Sequence, residues 1–97
     1  MVHKFKHPKQ WDKLWRLVVF DIPEKKRAFR DILRDHLKRI GFIELQKSVF
    51  ISPYPCEHEL ACLTELYNAT PFVRIATLQS IDNEKELRRH FFPKKQP

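Results

Sequence analysis

The run LVVF, Leu17 to Phe20, passes without a break through Asp21, Ile22 and Pro23 into the charged stretch EKKR. Four consecutive apolar residues, most of them β-favouring, argue against a strand with one wet face. They predict a strand from Trp15 to Ile22 buried on both sides, in the interior of a sheet. Pro23 fits the first turn of a helix, where its missing N–H costs nothing. A strand must therefore end near Asp21, and a helix must begin almost at once. A carboxylate at that junction has three distinct uses: a metal ligand, an acceptor for the N–H groups that open the helix, or a solvated loop residue.

The helix is expected from about Glu24 to Ile40, with Phe29, Ile32, Leu33, Leu37 and Ile40 as its inner face at 3.6-residue spacing. Gly41, the only glycine in the chain, falls where a left-handed C-cap belongs. Ile43 to Ser52 alternates, apart from a break at Lys47, and reads equally as one long strand or as two bent there. Pro53 and Pro55 stop it. A second helix is predicted from about Glu57 to Asn68, with Leu60, Leu63, Leu66 and Tyr67 inward, and a further strand from Phe72 to Leu78. Asp82 or Asn83 is placed to cap a short last helix containing Leu87 and Phe91. A chain of 97 residues with this alternation is expected to form one α+β domain, a ferredoxin-like βαββαβ sandwich over residues 15–92. A basic leader, 1–14, and a basic tail, 93–97, flank it. Both helices then cover one sheet face, and pairing with a second subunit is the simplest cover for the other.

Charge narrows the partners. The net charge is +7, and residues 1–16 carry +4 of it while residues 93–97 carry +2. From Glu24 to Gly41 there are seven bases and three acids, whereas Cys56 to Thr70 holds three acids and no base. Basic ends and one basic helix on a near-neutral body point to a polyanion. Arg27, Arg30, Arg34 and Lys38 step along one helix face, with Lys25 and Lys26 at its start, as a stripe suited to phosphates. Asp31 and Asp35 are expected to discharge part of it through intrahelical pairs. In the leader, Trp11 and Trp15 among lysines either stack on nucleotides or cover a sheet edge. No apolar run approaches the length of a membrane span and no secretory signal is present, so the expected compartment is the cytoplasm.

Other chemistry is poorly supported. Cys56 and Cys62 stand six residues apart, form no CxxC pair, and are expected as reduced, partly buried thiols. His3 and His7 share i, i+4 spacing without a third ligand, and His36, His58 and His90 have no evident partners. Ser48 lacks the setting of a serine nucleophile. A single glycine excludes a glycine-rich phosphate loop. Asp21, at a strand end, is the one hard oxygen ligand in a suggestive position, and a twofold axis nearby would let two copies share one ion.

The segments VVFDI (Val18–Ile22), GFIELQKSVF (Gly41–Phe50) and FVRIATL (Phe72–Leu78) resemble the CRISPR-associated endonuclease family that forms the small subunit of the spacer-acquisition complex. The resemblance covers about residues 15–80, and the strand-end Asp followed by QxSVF is its most specific part. It implies a ferredoxin-like homodimer that binds double-stranded DNA, or RNA, and bridges CRISPR integrase subunits. It also implies that Asp21 is the catalytic acid, facing its twin and holding Mg²⁺ or Mn²⁺ for phosphodiester hydrolysis. WRLVVFDIPEKKR and LQKSVFISPYPCEHEL are also similar to the C-terminal portion of phenylacetate-operon repressors, the PaaX family, whose domain is related to the same small nuclease. That likeness implies a non-catalytic dimerisation or regulatory module with Asp21 as a helix cap. Residues 1–16 carry no helix-turn-helix pattern, and a chain starting at Met1 and matching the small subunit in length sets the expectation at the adaptation protein.

Overall fold

The computed structural model describes residues 10–93. Four strands form one antiparallel sheet: β1 (Trp15–Phe20), β2 (Ile43–Gln46), β3 (Val49–Ser52) and β4 (Val73–Leu78), in the order β2-β3-β1-β4. Helix α1 (Arg27–Arg39) joins β1 to β2, α2 (Glu57–Leu66) joins β3 to β4, and α3 (Glu84–Phe91) follows β4. This is the ferredoxin-like arrangement. As its apolar run requires, β1 is paired along both edges, with Leu17 opposite Ile51 on one side and Ala76 on the other. The segment around Lys47 resolves into two strands, closed by Lys47 and Ser48, with Ser48 in the left-handed region at φ 63°. Register shifts between Glu44 and Gln46, where a bulge bends β2.

Side chains of β1 alternate into two cores. Val18 and Phe20 join Phe29, Leu33 and Leu37 of α1, Leu60 of α2, and Phe50 of β3 beneath the helices. Trp15 and Leu17 face the other way and pack with Ile51, Leu87 and Phe91. Cover for that second face comes from within the chain at this end, from α3 and Trp11, rather than from a second subunit as expected. Trp15 is fully buried, and its indole N–H donates to Glu84 Oε1 (3.3 Å), whose other oxygen accepts from Arg88 (2.9 Å). Farther along the same face, Val19 stays 37% exposed next to half-buried Val49 and opposite exposed Arg74.

Local departures from the sequence reading have physical causes. The first helix opens with a 3₁₀ turn, Glu24–Lys26, because Pro23 is extended (φ −62°, ψ 152°) and the Lys26 N–H closes on the Pro23 carbonyl (2.8 Å). Ile32 is exposed, since the face centred on Phe29, Leu33 and Leu37 leaves it at the margin. Helix α2 ends at Leu66, which points outward at 74% exposure instead of into the core, whereas Tyr67, 38% exposed, lays its ring against buried Phe29 (centroids 5.2 Å) just before Asn68 turns left-handed (φ 53°). Gly41 takes positive φ (100°), as a C-cap glycine should.

The leader is tied to the domain by a buried cation. Arg16, 6% exposed, donates twice to Asp12 (2.8 and 2.6 Å) and once to the Pro53 carbonyl (3.0 Å), and its Nε faces Glu57 at 3.7 Å. The guanidinium holds the Asp12 carboxyl below the usual range. A group with a lowered folded pKa stabilises above its ordinary value and loses that stabilisation as pH falls through it. Arg16→Met removes the fork, and thermal unfolding should show a loss of about 2 kcal/mol, roughly 10 °C in Tm. The variant's stability should also fall less steeply than the wild type's below about pH 4. An unchanged Tm would contradict the fork's role. Burial pushes the Cys56 thiol up to about 12, while Cys62 is exposed. A maleimide at neutral pH should label Cys62 promptly and Cys56 only after denaturation, read by mass spectrometry.

Candidate nucleic-acid interface

Asp21 leaves the end of β1 with its N–H donating to the Phe72 carbonyl (2.9 Å), so the backbone is pinned while the carboxylate is exposed. It does not cap the helix. The N-cap positions of the 3₁₀ turn and of α1 are Pro23 and Lys26, and neither receives a side-chain bond. The extended Pro23 carries the free N–H groups away from Asp21. Its carboxylate lines an open cleft of about 460 Å³ with Asp31, Arg30, Arg34, Lys47 and Ser48. The hairpin tip reaches this cleft because the Phe20 N–H donates to the Ser48 carbonyl (3.1 Å), a bond that the left-handed Ser48 accommodates.

The cleft's donor set decides what one chain can hold. A hard divalent cation needs several oxygen ligands, and two carboxylates here stand among three cations. Among the described residues, no group of three or more His, Cys, Asp or Glu could hold a metal ion. The residues of one chain therefore do not fit a Mg²⁺ site, and a twofold copy of Asp21 would have to complete it. The cations Arg30 and Lys47, which line the same space, would instead suit a phosphate oxygen.

The seven bases of the α1 region divide by what holds them. Arg34 makes a two-pronged pair with Glu44 (3.0 and 2.9 Å) and lies 5.5 Å over the Phe50 ring, fastening α1 to the sheet. This pair, with the Ser48 N–H as a further donor, holds the Glu44 carboxyl below its ordinary range. Lys26 donates to the Tyr67 carbonyl (3.3 Å), between α1 and α2. Arg30 sits between Asp31 (3.5 Å) and Glu24 (4.0 Å), and Arg27 pairs with Glu24 (3.2 Å). Asp35 turns to Arg39 (2.7 Å) instead of the stripe. Lys25 and Lys38 are exposed, with no ion pair among the described residues. The stripe predicted from spacing is thus real as a row of cations, but Lys25, Arg27 and Lys38 are its outward-facing part. Arg34 is structural.

Sequence reasoning missed Lys47, which the hairpin brings beside Asp21, and Glu44, which holds Arg34. The break in alternation at Lys47 was the available signal for the first. Trp15 is buried and Trp11 half-buried, so both cover the sheet rather than offering stacking platforms. His36 Nε2 faces Glu59 at 3.3 Å across the α1–α2 seam. His3, His7, Phe5 and the lysines of residues 1–9 lie outside the described residues, as do Lys94 and Lys95. Among the described residues, no helix is long and apolar enough to cross a membrane. Arg34→Ala should lower Tm and leave the salt dependence of duplex binding nearly unchanged, whereas Arg27→Ala should spare Tm and reduce the salt slope by about 1.

Compared with known proteins, residues 8–89 match a family model described as the PaaX protein central Cas2-like domain. No curated protein and no solved structure matches significantly. The matched span takes in Trp11, Asp12 and Arg16 at one end and α3 through Arg89 at the other, and so includes most of the second core, though not Phe91. The two resemblances drawn from VVFDI and QKSVF meet in a single description, a Cas2-like fold within the PaaX family. The chain belongs to the PaaX central Cas2-like domain family.

Proposed function

We propose that the chain is the dimerising, nucleic-acid-associated core of a PaaX-type regulator and acts by binding rather than by hydrolysis. The observation that carries this reading is the family match over residues 8–89, which covers the whole sheet together with residues 8–14 of the leader and α3 through Arg89. Two features support it. The Asp21 cleft of one chain is better suited to a phosphate than to a metal ion, and Lys25 and Lys38, with exposed Arg27 beside Glu24, present positive charge to a duplex. A second copy is the natural cover for Val19 and Val49, the part of the outer sheet face beyond the reach of α3.

One observation favours a second reading. The Asp21 carboxylate is exposed and unused by the helix that follows it. In a dimer with Asp21 near the twofold axis, paired carboxylates would hold Mg²⁺ or Mn²⁺, which polarises a phosphodiester and activates water. That would make the chain a metal-dependent endonuclease, or the DNA-binding bridge between integrase subunits in CRISPR adaptation.

Binding to a duplex of a few tens of base pairs across a salt series separates these readings. Wild type should bind with a salt-dependent affinity, and the combined Lys25, Arg27 and Lys38→Ala variant should lose about 2 to 3 from the slope. The bound DNA should remain intact in Mg²⁺ or Mn²⁺. Metal-dependent cleavage that disappears in Asp21→Asn would replace the regulatory reading with the second. Val19→Asp should shift sedimentation from dimer to monomer with the circular dichroism spectrum preserved, and an unshifted dimer would remove Val19 from the interface.

A further inference from the structure

The two edges of the sheet are not alike. Edge strand β2 has four residues and is interrupted by the register shift between Glu44 and Gln46, which blunts it as a template for further pairing. The opposite edge is β4, six residues without proline, in unbroken register against β1 from Val73 to Leu78. Alternate N–H and C=O groups of an antiparallel strand point away from its neighbour. Among the described residues, no strand takes up those groups on the outer side of β4, and Arg74, Ala76 and Thr77 are exposed along it. This edge keeps the geometry of a strand that can accept another.

A groove of about 180 Å³ lies beside it, between Ala61 and Glu65 of α2 and Val73 and Ile75 of β4. Its polar side chains are mostly engaged. The Thr64 hydroxyl donates to the Ala61 carbonyl (3.1 Å) and accepts from Thr70 (3.4 Å), and Arg74 folds back onto the Thr70 and Val73 carbonyls (3.4 and 3.1 Å). Glu65 is different: it is exposed on the rim, with no ion pair among the described residues. The surrounding charge has one sign. Cys56 to Thr70 holds three acids and no base, and the last turn of α2 has no cation to offset the negative end of the helix.

We infer that the β4 edge and its groove form a docking site for an extended, basic segment of another protein. The segment adds as a fifth strand, places an aliphatic side chain in the groove and turns a lysine or arginine toward Glu65. Residues two apart on a strand share a face, so one segment can satisfy both demands while its backbone pairs with β4. This surface is separate from the α1 cations and goes beyond the nucleic-acid reading. Charge selects the occupant. The acids of α2 repel a duplex. A second copy entering by its own β4 would set two α2 helices side by side, each with Glu57 and Glu65 exposed and neither with a base to answer them.

The test uses the whole chain and two end-capped peptides, KTVTKT and ETVTET, which carry lysines or glutamates on the same face as the valine. In calorimetric titration the wild type should bind KTVTKT about tenfold more tightly than ETVTET. Glu65→Lys should reverse that preference. Ala61→Trp, which fills the groove from an exposed position, should weaken KTVTKT by about tenfold with an unchanged circular dichroism spectrum. Hydrogen exchange of alternate β4 amides should slow in the complex. No binding of KTVTKT at about 1 mM would overturn the inference, as would equal binding of the two peptides or binding that leaves β4 exchange unchanged. Concentration-dependent protection of β4 in the chain alone would assign the edge to a second copy and overturn it too. None of these outcomes depends on duplex binding, so this inference and the nucleic-acid reading fail separately.

Discussion

Strand β1 is hydrogen-bonded to β3 on one edge and β4 on the other, and everything else is arranged around that double pairing. Because it is central, its alternate residues must be covered on both sides. Val18 and Phe20 call for α1 and α2, whereas Trp15 and Leu17 call for α3 and Trp11. Its end is fixed as well. The Asp21 N–H closes on Phe72 while the Phe20 N–H closes on Ser48, so the exposed carboxylate and the hairpin tip share one cleft. The position of the candidate site thus follows from where a buried strand is allowed to stop.

The layout of charge follows from the same geometry. Helix α1 runs back over the sheet and is fastened by Arg34 to Glu44, which removes one cation from the stripe and fixes the direction of the rest. The two ends of the described chain meet over the opposite face, held by the stacking of Trp11 on Phe92. A near-neutral body therefore presents positive charge on two sides. The proposed binding role draws on that arrangement, since the cations of the Asp21 cleft attract a phosphate.

Much of this was legible in the residues. The continuous run Leu17–Phe20 identified the central strand, the spacing of Phe29, Leu33 and Leu37 identified the buried face of α1, and Gly41 marked its end. These are local signals, carried by period and by single-residue conformational preference. The second core was not legible, because Trp11, Trp15, Leu87 and Phe91 come from distant segments with no common period. The same limit hid the role of Arg34. Spacing places it on a stripe, and only the fold reveals that Glu44 has already taken it. The cap reading of Asp21 failed for a local reason instead: Pro23 opens the helical segment in an extended conformation and so separates the carboxylate from the N–H groups it was expected to satisfy. The alternation of elements and the likeness to the small nuclease gave the same fold, and the family match placed it among PaaX central domains, but neither likeness nor match specifies what Asp21 does.

The pairing of Trp15 with Leu78 and of Phe20 with Val73 joins an early segment to a late one. Closing so long a loop is entropically costly and slow compared with forming the β2–β3 hairpin or either helix. During synthesis, β1 can pair with β3 once residue 52 has emerged, but its other edge and the Trp15–Leu17 face stay open until β4 and α3 follow. For that interval the nascent chain carries a bare strand edge beside an uncovered tryptophan, which is the feature chaperones bind and aggregates grow from. Emergence of β4 and α3 is therefore what pairs the second edge of β1 and covers Trp15.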